Sequence, residues 1–262
     1  MKNVMKLYGI ILVMAVSGLL MTACDNGNNG DTQKSWSPYL GEKLEIAAPV
    51  YRVEWDWETD LPSVYEYTGN LMINDDDVGG VGEIKDGKLT YTIEAPVLMN
   101  TIEDIFITDN NVNDFLRYSG FYSIRDYKDI TASIKTVKCA ILNLFYNYSD
   151  SYTEGLSLVN FTENVNPDSG YYTVTYTKVF FVYVEHDVTI SGKGITITDD
   201  IEDDFEMTST DFHLALKQGW NVIHKNGTTT RQDRKYFLTE QITMGTPMNN
   251  LKWVLGWWAS GE

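Results

Sequence analysis

From Leu44 onward, apolar and polar residues alternate with a period of two, and β-branched and aromatic side chains fill many of the apolar positions. That period turns successive side chains to opposite faces of a strand, whereas a helix repeats every 3.6 residues. The longest run, 171–184, predicts one strand whose alternate residues line both faces of a sheet. Asp86-Gly87, between apolar-alternating segments 82–85 and 88–93, predicts a two-residue hairpin turn. Ser191-Gly192-Lys193-Gly194, between 188–190 and 195–197, reads as a second hairpin turn. Further strands are expected at 45–55, 64–73, 121–126, 131–146, 211–217, 220–225, 235–242 and 251–258. Only 101–118 has helical character: Ile102, Ile105 and Phe106 share one helical face until Asp109-Asn110-Asn111 interrupts it. Many short strands between Gly, Asn and Asp clusters predict an all-β fold, an antiparallel β-sandwich of jelly-roll or Ig/transthyretin-like kind. It occupies 44–262, as one domain or as two packed sandwiches divided near residue 120.

The first residues carry a different pattern. Lys2 and Lys6 precede an uncharged apolar run, 7–20, which ends in Leu20-Met21-Thr22-Ala23-Cys24. The run is short for a membrane span of about 20 residues and suits a signal-peptide core. Thr22, Ala23 and Cys24 resemble the lipobox of bacterial lipoproteins, with Met21 in place of the usual leucine. The resemblance implies a signal peptide over 1–23 and lipidation of Cys24. Residues 24–43 open with a polar, glycine-rich stretch and are expected to form a flexible tether.

Charge narrows the partners. Of 20 Lys+Arg, two lie in 1–23, so the mature chain sets 18 against 37 Asp+Glu, a formal charge of −19. Such a surface repels nucleic-acid phosphates and anionic headgroups, so nucleic-acid binding is not expected and membrane attachment falls to the lipid. After Cys24 only Cys139 remains, which excludes an internal disulfide framework and cysteine-rich zinc sites. Cys139 lies in the strand-like run 137–142, where a buried, inert thiol is expected.

Three further stretches carry a resemblance: 82–91 (Gly-Glu-Ile-Lys-Asp-Gly-Lys-Leu-Thr-Tyr), 181–192 (Phe-Val-Tyr-Val-Glu-His-Asp-Val-Thr-Ile-Ser-Gly) and 214–221 (Leu-Ala-Leu-Lys-Gln-Gly-Trp-Asn). With the lipobox they resemble surface lipoproteins of host-associated spirochaetes, a family to which no activity and no site residues are assigned. The resemblance implies an all-β protein in the cell envelope, anchored outside the cytoplasm, with the outer membrane or cell surface favoured. It implies no chemistry.

Candidate chemistry comes from the residues themselves. In Glu54-Trp55-Asp56-Trp57-Glu58, a strand places the three carboxylates on one face and both tryptophans on the other. The spacing resembles that of laminarinase-like retaining glycoside hydrolases, which implies Glu54 as nucleophile, Glu58 as acid/base and Asp56 as the orienting residue. A retaining mechanism needs its two carboxylates about 5–5.5 Å apart, whereas i and i+4 on a strand start about 13 Å apart. The alternative is a solvated acidic face. Asp75-Asp76-Asp77 and the acidic run 199–204 lack the ligand spacing of a calcium loop and read as polar loops. His186, His213 and His224 have no metal-site spacing, and no serine stands in a nucleophile elbow. No metal and no cofactor are expected. Trp55, Trp57, Trp253, Trp257 and Trp258 exceed what one strand face hides, which makes them candidates for an exposed aromatic surface that takes a glycan or a protein partner; the alternative is cross-strand packing. The favoured function is non-enzymatic: a lipid-anchored binding or adhesion domain.

Overall fold

The computed structural model describes residues 38–56, 61–74, 78–96, 100–107, 127–149, 152–166, 171–199, 205–232, 235–245 and 251–255. Among them the first seven strands are β1 (Tyr39–Gly41), β2 (Leu44–Asp56), β3 (Leu61–Glu66), β4 (Leu71–Ile73), β5 (Val81–Lys85), β6 (Lys88–Ile93) and β7 (Asn100–Thr101). A π-helical turn at Glu103–Ile107 precedes β8 (Tyr127–Ala132), β9 (Lys138–Ile141), β10 (Leu144–Ser149), β11 (Tyr152–Asn166) and β12 (Tyr171–Val184). Then come β13 (Val188–Gly194), β14 (Thr196–Asp199), β15 (Phe205–Ser209) and β16 (Phe212–Leu216). The last three are β17 (Gly219–Gln232), β18 (Lys235–Met244) and β19 (Lys252–Leu255).

One large sheet runs β14-β15-β18-β17-β12-β11-β19-β2-β6-β5-β4, with β1, β3, β9 and β10 joined at its sides. A three-stranded sheet, β16-β13-β8, forms a second layer. The all-β expectation holds, with one difference in topology: β15/β18 and β19/β2 pair in parallel. Parallel neighbours need a long crossover. For β15 and β18 the intervening chain supplies it by visiting the second sheet as β16 and returning as β17.

β12 is the spine. Val179, Phe181 and Tyr183 enter one apolar core, with Leu44, Ile46, Leu89 and Tyr91 of β2 and β6 and Trp253 of β19. Phe180, Val182 and Val184 enter a second core, with Val188, Ile190, Phe212, Leu214 and Leu216 of the three-stranded sheet. The second half of β12 is therefore apolar on both faces, which is why its sequence loses the polar half of the alternation. Ile102, Ile105 and Phe106 of the helical turn close the second core, as their shared face predicts. Thr101 and Asp104 cap that turn reciprocally, with Thr101 N donating to Oδ2 of Asp104 at 2.9 Å and Asp104 N donating to Oγ1 of Thr101 at 3.1 Å.

Local chemistry explains several boundaries. Asp86 and Gly87 have φ of 49° and 73°, the two positive angles of a type I′ turn, and join β5 to β6 as the sequence predicts. In β2, Pro49 marks a change of partner: Leu44 to Pro49 pair with β6, and the residues beyond pair with β19 and β3. The expected hairpin at 191–194 is not formed. β13 runs unbroken through Gly192, because that glycine is the bed for the Phe212 ring opposite, where a Cβ would lie 2.3 Å from the ring. Only after Gly194 does the chain leave the small sheet and pair as β14 with β15. Segments 64–73 and 131–146, each expected as one strand, are broken into β3/β4 and β8/β9/β10. The folded domain also begins earlier than Leu44. β1 pairs with β17, Pro38 O accepts from Val222 N, and Tyr183 OH donates to Glu42 at 2.7 Å. Residues 108–126, which contain the expected strand 121–126 and the alternative domain division near 120, lie outside the described residues.

Candidate functional site

Most residues singled out from the sequence lie at or beyond the limits of what is described. Cys24, Trp57, Glu58, Trp257 and Trp258 are outside the described residues, as are Asp75, Asp76 and Asp77 and the acidic run 200–204. Glu54, Trp55 and Asp56 are the last residues of β2, in register with Ser63, Pro62 and Leu61 of β3. Trp253 is the one member of the tryptophan set whose side chain is described, and it is core, not surface. It is 3% exposed and stacks on Phe181 with ring centroids 6.2 Å apart. The cause is its strand: β19 lies between β11 and β2, so it is flanked on both sides and its indole joins the core they share. Among the described residues no group of three His, Cys, Asp or Glu is placed to hold a metal ion.

The remaining reactive groups have structural surroundings. Cys139 has no exposed surface, and burial pushes its thiol up to about 12. His213 Nδ1 lies 2.8 Å from Ser191 Oγ, a cross-strand contact on the small sheet. The His224 ring packs under Gly245, where a Cβ would lie 2.4 Å from it. Asp187 and Asp211 are held below the usual carboxylate value, the first by Lys217 and the Gln218 amide, the second by Lys193 and the Gly194 amide. These are turn anchors: each carboxylate fixes the chain where one strand hands over to the next.

What the fold does assemble is a broad polar face. Beyond the two cores, β12, β17, β18, β15 and β14 continue side by side. Residues in register share a face, so Thr175, Thr228, Thr239, Thr208 and Thr196 form one row across all five strands. At about 4.8 Å per strand that row spans about 19 Å. A parallel row holds Thr173, Thr230, Phe237, Glu206 and Thr198, and a third holds Thr177, Asn226 and Gln241. Thr175, Thr239, Gln241, Thr196 and Thr198 are exposed, and Phe237 is 39% exposed at the centre of its row. Neighbouring hydroxyls approach across strands, Thr196 to Thr208 at 3.3 Å and Thr173 to Thr230 at 3.5 Å. Glu206 and Lys235 are the charged members of this face among the described residues.

No family model, no curated protein and no solved structure matches this chain. The geometry of the face therefore carries the functional argument alone. Threonine presents a methyl group and a hydroxyl that both donates and accepts, so the rows offer hydrogen bonds and apolar contact at a regular spacing. Its low charge is unusual for a chain with 37 acids and 20 bases. The sequence signal was present as alternate threonines, Thr173-x-Thr175-x-Thr177 and Thr196-x-Thr198, and as the run Thr228-Thr229-Thr230. Alternation alone says which residues share a face of one strand. That the rows join needs the long-range pairing of β15 with β18, which no local pattern encodes.

Proposed function

We propose that this chain is a lipid-anchored protein of the cell envelope whose β domain binds an uncharged, hydroxyl-rich polymer, a neutral glycan, without transforming it. The single observation behind the binding reading is the five-strand threonine row and its sparsely charged surroundings. The anchor reading rests on the signal-like start and the lipobox ending at Cys24, which precede the folded domain by a short polar tether. A neutral glycan matches the face in chemistry: ring hydroxyls meet threonine hydroxyls, ring carbons meet the methyls, and Phe237 offers an aromatic surface. An anionic polymer is disfavoured by a formal charge of −17.

The test is a pull-down on insoluble neutral polysaccharides, with a glycan array in parallel, using the chain purified without its signal segment. Thr228→Lys combined with Thr239→Lys is expected to weaken binding at least about tenfold, the loss of one to two hydrogen bonds' worth of contact. Circular dichroism checks that the sheet survives. Binding that is unchanged in the double variant, or confined to charged glycans, refutes the assignment of this face.

A further inference from the structure

On the opposite side of the same strands lies a different set of groups. Lys225 of β17 and Glu240 of β18 are diagonal neighbours, since Lys225 pairs with Ile242 and Gly227 pairs with Glu240. Both are nearly sealed from water, 4% and 2% exposed, and Nζ lies 3.0 Å from Oε2. This approach lacks hydrogen-bond geometry, and Oε2 accepts no hydrogen bond. The other carboxylate oxygen, Oε1, accepts a hydrogen bond from Tyr176 OH. Tyr176 reaches it across Gly227, whose missing side chain leaves room: a Cβ there would lie 2.2 Å from the Tyr176 ring. From β12, Lys178 faces Lys225 in register, its ammonium 5.2 Å from the centre of the Phe180 ring. Ser209 of β15 stands beside Glu240, with its hydroxyl directed to Ile195 O at 3.4 Å.

An amine and a carboxyl group held in contact, dry and on adjacent strands, are the two partners of a condensation. We infer that Lys225 and Glu240 join in an intramolecular amide that cross-links β17 to β18, with Tyr176 polarising the reacting carboxyl. The step balances without a co-reactant. Lys225 passes a proton to the carboxylate beside it. The freed amine lone pair attacks Cδ of Glu240. Tyr176 OH stabilises the charge that develops on Oε1, which becomes the amide oxygen. Oε2 departs as water with the protons released from Nζ and the carboxyl group. Intramolecular groups held in an aligned, near-attack arrangement react as if at effective concentrations of about 10⁵–10⁸ M. The product replaces two buried charges, which are costly in a dry site, by one neutral amide.

Intact mass spectrometry of the denatured chain, purified without its signal segment, tests this directly. The expected mass is lower than that of the sequence by one water, and proteolysis yields a branched peptide joining the segments that contain Lys225 and Glu240. Lys225→Arg and Glu240→Ala each restore the full mass, and Tyr176→Phe lowers the cross-linked fraction. A wild-type chain that folds, by circular dichroism, yet shows its full mass overturns the inference and leaves a buried ion pair. So does a loss of water that survives in Lys225→Arg, because cyclisation at Asp86-Gly87 gives the same mass change. The readout concerns one covalent bond, so it stands or falls independently of glycan binding.

Discussion

At Cys139 the surroundings settle the chemistry. Its thiol has no exposed surface, and burial, then the negative charge of Asp104, pushes it up to about 12. At neutral pH the thiolate fraction is then about one in 10⁵, too small for useful reactivity. Alkylation of the folded chain, read by peptide mapping at Cys139, is expected to be negligible until denaturant is added; rapid labelling under native conditions would contradict the placement. The inertness of Cys139 was legible because its neighbours Val137, Ala140 and Ile141 are apolar whichever strands they meet. The place of Trp253 was not. Whether its indole faces solvent depends on β2 and β11, strands far away in sequence that flank β19 on both sides. Asn221 is a similar case: fully buried, its Nδ2 lies 2.7 Å from Lys217 O and 2.8 Å from Gly219 O, holding a sharp turn that local sequence marks only by Gly219, at φ 94°.

Single elements show the same division between local and distant causes. The β5–β6 hairpin was legible because two residues, Asp86 and Gly87, encode its turn by themselves. Gly87→Ala is expected to destabilise the chain by about 1–3 kcal/mol, through a strained positive φ. An added Cβ would also meet Tyr67 O at 1.9 Å. Urea unfolding measures it, and an unchanged midpoint would rule out the type I′ geometry. Glycines at 192 and 194 carried the same apparent signal with a different cause. A close-packed phenylalanine excludes a side chain at the first, and at the second a Cβ would lie 2.0 Å from the Ser209 carbonyl oxygen. β11 was missed because Gly155, Asn160, Glu163 and Asn164 lower its β propensity, and long pairing with β12 overrides that.

For the whole molecule, acidity acts in two directions. The formal charge of −17 repels itself at neutral pH, and mild acid relieves that repulsion. Asp104, Asp187 and Asp211 oppose the trend further down. Thr101, Lys217 and Lys193 respectively hold their carboxylates below the usual range. A depressed folded value gives stability that is complete above the unfolded value and is lost as pH falls through the folded one. Thermal midpoints are therefore expected to rise from pH 7 to about 5 and to fall below about 4, with a shallower fall in Asp187→Asn. A midpoint that declines steadily from pH 7 would refute this. Fold class was legible at this scale, because period-two alternation recurs along the chain and no local feature has to be placed to see it. The layering was not, because it depends on β12 being shared by two cores. That sharing has a consequence for how the chain avoids error. A half-buried strand that slips by one residue exposes its apolar side to water and is rejected. In β12, residues 179–184 would merely exchange one oily surface for another. Water offers little correction there, so the guard against misthreading falls to the polar end of the strand. A slipped Tyr176 loses the one position on β17, Gly227, that leaves space for its ring, and with it the carboxylate of Glu240.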